Sequence, residues 1–463
     1  MPVNMSRSIA AALAAAMLIT TSYAESTPWA CDRSDLLVTN VRLFAGKKVS
    51  ILISDGRIED IGETAGKTRR DLRIVDGKGA LALPGLIDSH THFDALPAAK
   101  HLQREMDAQL EIFPITMRQT LASGVTTART HLAALADMTV MTALGDDDCF
   151  PAPRFALSGP GLLGGAPNVN GRLMRGVVGA EDAAAKTNEM AGLGATWLAL
   201  HGIANFSEGE LAAIFSAADE NNMKVMADTD GFENLAAALN WPILSGEYIN
   251  RSPATDYPPE ILEAISARGD FYVTPPLGYY MRSAAIAADA DTEFDPELFE
   301  FTPDNLAEEM NRSFREAFDR DDYIARAIEA APTYRQKFRQ LIDAGAKPVI
   351  GSDTGSLGQF HRDAVWIEMA AWARLGITPQ DIFAGATVTP AEMLGVNDIG
   401  VLKTGARGDL VLYAGDFASG EFDSDHVAAV IKGGVIYVRD GVWVGPDTEA
   451  TRAGIEAAAA AER

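Results

Sequence analysis

The stretch LALPGLIDSHTHFD, Leu81–Asp94, decides how this chain is read. It opens apolar and closes polar. Ala82 to Ile87 predicts a buried strand of a parallel sheet, apolar on both faces. Asp88, Ser89, His90, Thr91 and His92 follow at its carboxyl end, the end that carries the chemistry in α/β barrels. Side chains two apart on a strand share a face. His90 and His92 therefore point into one space and form a ready pair of metal ligands.

On the amino-terminal side, residues 36–80 alternate short β-like runs with turns, and Asp55-Gly56 is a hairpin signal. On the carboxyl side the pattern changes to strands separated by helical stretches. VTTART (125–130), RFALSG (154–159), TWLALH (196–201), KVMADTD (224–230), PILSG (242–246), FYVTPP (271–276) and PVIGSD (348–353) bring the strand candidates to eight. Ser207-x-x-Glu210 and Thr389-Pro390-Ala391-Glu392 read as capping boxes, and Gly395 suits a helix C-cap. Eight strands alternating with helices predict an α/β fold, a (β/α)8 TIM-like barrel. The glycine-rich run GPGLLGGAPN from Gly159 reads as a flexible loop, and it lacks the Gly-Lys-Ser/Thr ending of a phosphate-binding loop. Past residue 396 the runs LVLYAGD, AAVIKGG and VIYVRDGVWVG return, with turns at Gly433-Gly434 and Asp440-Gly441. The expected organisation is a signal peptide at 1–24, a β-sandwich built from 25–80 and 397–446, the barrel at 81–396, and an Ala-rich, helical or frayed tail at 447–463.

The leader reading rests on Arg7, the apolar run Ile9 to Ile19, and the small-x-small site Ser22-Tyr23-Ala24. It predicts a periplasmic or secreted protein in an oxidising compartment. There the two cysteines, Cys31 and Cys149, either form one disulfide or remain unrelated thiols. The composition is that of a globular protein, with 47% hydrophobic residues. With 64 acidic against 39 basic residues, the net charge of −25 disfavours nucleic acid and anionic membrane surfaces as partners. A small-molecule substrate is the expected partner.

PGLIDSHTH resembles the first-strand signature of the amidohydrolase superfamily, especially its imidazolonepropionase-like and prolidase-like members. LLVTNVRLFAGKK, ILISDGRIEDIG, GVTTART, GAKPVIGSD, ITPQDIFAGATVTPAEMLG and GARGDLVLYAGD resemble further segments in the family's order. The resemblance implies a metal-dependent hydrolase in which Asp353, closing GAKPVIGSD, binds metal and takes a proton from the attacking water. It also implies a metal-bridging lysine and two further histidines on the fourth, fifth and sixth strands. Ala199, Asp228 and Ser245 align there instead, so one divalent cation, zinc first, is expected rather than two.

Substitutes lie nearby. His201 shares a strand face with Ala199, and Asp228 with Asp230. The ligand set read from the chain is His90, His92 and Asp353, with Asp228 or His201 in support. Asp228 is equally a candidate general acid or ammonium contact, and His201 equally a hydrogen-bonded rim histidine. Asp230, Tyr279 and His361 are candidate substrate contacts, while His131, just past the second strand, is a more distant candidate that reads first as structural. Three functions fit these residues: hydrolysis of an amide, cyclic amide or peptide-like C–N bond, hydrolysis of an ester or lactone by the same site, or ligand binding without hydrolysis.

Overall fold

The computed structural model describes residues 31–98, 106–289 and 292–461. The signal-peptide segment and His101 lie outside them. The fold is α/β, and no helix among the described residues is long and apolar enough to cross a membrane.

The deciding stretch divides where its local chemistry changes. Leu81–Pro84 pairs antiparallel with Leu410–Tyr413 in a sheet made by both chain ends. Leu86–Thr91 forms a separate strand, β1, parallel to β2, Val125–Thr130. The expected single strand from Ala82 to Ile87 is therefore broken at Pro84-Gly85. Proline cannot donate to a ladder. A Cβ on Gly85 would lie 2.0 Å from Thr126 Oγ1, so only glycine lets the two layers approach there. Asp88, Ser89 and His90 fall inside β1 rather than after it.

The remaining strands of the second layer are β3, Arg154–Ala156; β4, Trp197–His201; β5, Lys224–Asp228; β6, Ser245–Glu247; β7, Tyr272–Thr274; and β8, Lys347–Pro348. Neighbours in this series are parallel from β1 to β3 and from β4 to β8. Ser158 bridges Trp197 in parallel between the two groups. At the other seam Ser89 N–H donates to Ile350 O, Asp353 N–H to His90 O and His92 N–H to Thr354 O. The strands thus close into a ring, consistent with the expected barrel. The glycine-rich run after β3 is not a free loop. Its Gly161–Leu163 continues the third strand alongside β4 and pairs with Met174–Gly176.

Ile87, Trp197, Ala199, Met226, Tyr272 and Val349 fill one level of the ring, packed against Ala391, Met393 and Leu394. These last residues belong to the helix Val388–Leu394, which starts before the expected capping box and ends at Gly395 in the left-handed conformation. The Ser207–Glu210 capping box is present.

Segments from both sides of the ring pair in one nine-stranded sheet. Apolar residues from Leu36 to Ala82 and from Ala406 to Ile431 form its own core. The tail is the helix Thr448–Ala461. Cys31 and Cys149 are joined in a disulfide, with Cα atoms 5.6 Å apart.

Candidate metal centre

One level above the apolar layer, the ring interior turns polar. His90, His92 and His131 bring one nitrogen each to within 4.8 Å of one another. β1 supplies His90, and His92 follows directly after its last residue. His131 follows β2 directly, and its N–H donates to Thr91 O, which holds it beside β1. Asp353 arrives from the segment after β8. Its Oδ1 lies 3.2 Å from His92 Nε2 and 3.6 Å from His90 Nε2. His131 Nδ1 lies 2.8 Å from His90 Nε2.

These separations suit a cation. Four donors at about 2.0–2.2 Å from one tetrahedral ion stand roughly 3.3 Å apart. Three imidazoles and a carboxylate, all at least largely buried, are also a donor set suited to zinc. Burial and the neighbouring imidazoles push the His131 pKa well below its ordinary value, which keeps that ring neutral. Burial acts most strongly to lower the His92 pKa, but the contact with Asp353 and the nearby Asp94 and Asp88 carboxylates together raise it.

Behind the histidines stands a charged pair with no exposure to solvent. Glu247 Oε2 accepts from His90 Nδ1 at 2.8 Å, and Oε1 accepts from Arg129 Nη2 at 2.7 Å. Ser245 Oγ donates to the same Oε1 at 2.7 Å. Burial alone would raise the Glu247 pKa, but Arg129 and His90 lower it overall. A carboxylate fixing the far nitrogen of a histidine sets its tautomer and leaves the near nitrogen free to ligate. Asp88 ties β1 to the eighth strand segment by accepting from Ser352 N, Ser352 Oγ and His90 N. Its burial lifts the pKa to about 6, although those bonds oppose the rise.

Two site residues have unusual backbones. Tyr248 has φ of 70° and Asp353 φ of 55°. Such angles cost a non-glycine residue about 1–3 kcal/mol and gather at functional sites. The Tyr248 hydroxyl lies 3.4 Å from His90 Nε2. Burial raises its pKa well above the ordinary phenol value, so it remains a donor. A cavity of about 640 Å³ opens from His92 and Asp353 between Tyr248, Tyr279, Tyr323 and Leu132.

Other expected residues stand further off. His201 Nε2 is 3.1 Å from His131 Nε2, and Asp228 Oδ2 is 3.7 Å from His201 Nδ1. Asp230 is engaged by the Arg251 backbone and guanidinium, and does not line the cavity. Tyr279 does line it, stacked on Tyr323. His361 is buried behind β1 instead, its Nε2 against His92 O, and burial takes its pKa down to about 3. Ala199 sits in the apolar level below, and Ser245 lies beneath Glu247, so neither lines the cavity. The ends of β4 and β6 that reach the polar level are His201 and Glu247. Glu247 and Tyr248 carry no local pattern, and His131, a more distant candidate read first as structural, belongs to the cluster. An isolated glutamate in the apolar run PILSGEYI was the available signal, since a buried charge requires a partner.

The family model for the amidohydrolase family matches residues 81–444. The 5′-deoxyadenosine deaminase of Methanocaldococcus jannaschii is 42% identical over 57 residues, 12% of this chain and 13% of that protein. The imidazolonepropionase of Deinococcus deserti is 40% identical over 83 residues, 17% of this chain and 20% of that protein. The chain thus spans a fifth or less of the length of these two curated relatives. A solved structure of a putative prolidase from Bifidobacterium longum superposes with a TM-score of 0.68 at 19% identity, covering 92% of this chain and 99% of that one. At that identity the likeness speaks for the fold.

Proposed function

This chain belongs to the amidohydrolase family, and on that premise we propose that it is a metal-dependent hydrolase of a C–N bond in a small-molecule amide, cyclic amide or dipeptide-like substrate. The observation that carries the proposal is the convergence of His90, His92, His131 and Asp353 beside the aromatic cavity. Those four residues would hold one divalent cation, zinc by the nature of the donors. When bound, the cation supplies Lewis acidity toward the scissile carbonyl and lowers the pKa of the attacking water. Asp353 takes the proton from that water and returns it to the leaving nitrogen. Tyr248, a neutral phenol facing the cluster, donates a hydrogen bond to the substrate carbonyl oxygen. Glu247 and Arg129 hold His90 in place.

The same reading places the ring as a (β/α)8 barrel and the protein in the periplasm or outside the cell. The leader pattern and the Cys31–Cys149 disulfide support export, because such bonds persist in oxidising compartments. Metal analysis of tag-free protein tests the site. About one equivalent of zinc and turnover on a panel of N-acyl amino acids, dipeptides and cyclic amides are expected. Protein that takes up no zinc or manganese and cleaves none of the panel would overturn the proposal.

A further inference from the structure

His131 has an imidazole neighbour on each of its nitrogens. Nδ1 lies 2.8 Å from His90 Nε2, and Nε2 lies 3.1 Å from His201 Nε2. Beyond His201, its other nitrogen, Nδ1, faces Asp228 Oδ2 at 3.7 Å. Three groups from the ends of β2, β4 and β5 therefore stand in line, running outward from the candidate cation site.

A neutral imidazole carries one donor and one acceptor nitrogen. His90 Nδ1 is committed to Glu247, so His90 Nε2 presents a lone pair to the centre. His131 Nδ1 lies 3.2 Å from His90 Nδ1 as well as 2.8 Å from Nε2, off the axis of that lone pair, and a proton placed on it would take away its capacity to ligate. A proton on His131 Nε2 goes instead to His201 Nε2, and Nδ1 stays free. The second arrangement requires His201 to accept at Nε2 and therefore to carry its own proton on Nδ1. Asp228 is the carboxylate on that edge.

We propose that Asp228, His201 and His131 form an outward relay in which Asp228 and His201 are positioning residues that hold His131 in the Nε2–H tautomer, with Nδ1 presented to a divalent cation. The inference rests on the cation site proposed above. Asp228 and His131 lie on opposite edges of the His201 ring, whose two nitrogens point apart, so one ion cannot bind all three as a cage. At the fourth strand Ala199, in the apolar level, offers no ligand.

The test is zinc titration of metal-free, tag-free protein against a chromophoric chelator, with the visible spectrum of the cobalt-loaded protein as a second readout. His201→Leu is expected to bind zinc about 10–100-fold more weakly, with the stoichiometry unchanged and the cobalt bands shifted. His201→Gln, whose amide oxygen can accept from His131 Nε2–H, should recover most of the affinity. Asp228→Asn should fall between wild type and His201→Leu. Wild-type affinity and an unchanged cobalt spectrum in His201→Leu would overturn the relay. A drop from two ions to one in that variant would overturn it in favour of a second cation site. If His201→Leu fails to fold, Asp228→Asn decides: weaker zinc binding supports the relay, and unchanged binding overturns it. Wild-type protein that binds no zinc at all is a separate outcome, and it overturns the cation site itself.

Discussion

At the scale of single residues, the site depends on charges that are buried and paired with one another. Glu247 and Arg129 are both without solvent exposure, and each is the other's counter-ion. Removing one partner from such a pair leaves an uncompensated buried charge, at about 3–5 kcal/mol. Glu247→Gln should therefore destabilise the fold by roughly that amount. It should also weaken zinc binding about 10–100-fold, because His90 loses its anionic anchor. Denaturant titration and chelator competition measure the two effects, and an affinity equal to wild type would refute the anchoring role. Asp353 and His92 separate chemistry from binding. His92→Ala should lose metal and turnover together. Asp353→Asn should lose turnover while retaining more metal, because an amide oxygen still ligates weakly but cannot accept the proton. Near-normal turnover by Asp353→Asn would refute the proposed base.

At the scale of elements, helix packing aims the cavity wall. The helix Leu277–Ala288 carries Tyr279 into the cavity, and its first turn is held by Glu368 of the helix Ala364–Arg374. Glu368 accepts from Gly278 N–H and, at 2.6 Å, from Trp372 Nε1. Its complete burial outweighs these donors and lifts its pKa to about 8. The folded state thus holds the Glu368 proton to higher pH than the unfolded chain, whose glutamates titrate near 4.3. The stability due to that proton is full below the unfolded value and is lost as pH rises through about 8. Denaturant midpoints measured from pH 5 to 9 should fall less steeply for Glu368→Gln than for wild type. Parallel curves for the two proteins would count against this burial effect.

At the scale of the whole molecule, the ring and the terminal sheet are tied by buried links. Lys432 of the terminal sheet donates to Asp147 O, Phe150 O and Ala152 O, just before β3. Cys149 lies among those residues and reaches Cys31 across 118 positions of sequence. Closing a loop of that length restricts the unfolded chain strongly, and loss of such a bond costs about 2–5 kcal/mol. Cys31→Ala/Cys149→Ala protein should be less stable by that amount, measured by denaturant unfolding under non-reducing conditions. A variant as stable as wild type would show that the link contributes nothing to folding.

The local sequence determined those features whose physics acts within a few residues. His90 and His92 share a face because strand side chains alternate. The turns Asp55-Gly56, Gly433-Gly434 and Asp440-Gly441 all have positive φ at both positions, as their residue types require. Ser207 and Glu210 cap their helix as the spacing prescribes. Only the tertiary structure decided what meets what across the ring. His131 follows a strand with no periodic mark of a ligand, and closure beside β1 brings it to His90. Glu247 lies 157 positions from His90 in sequence yet anchors it. The choice between Ala199 and His201, or between Ser245 and Glu247, turns on which level of the ring each occupies. That level is set by hydrogen-bond register between neighbouring strands, Ala199 opposite Met226 and Ser245 opposite Tyr272. Register is a property of paired strands, and a two-residue step along one strand preserves the face while moving a side chain from the apolar layer to the site.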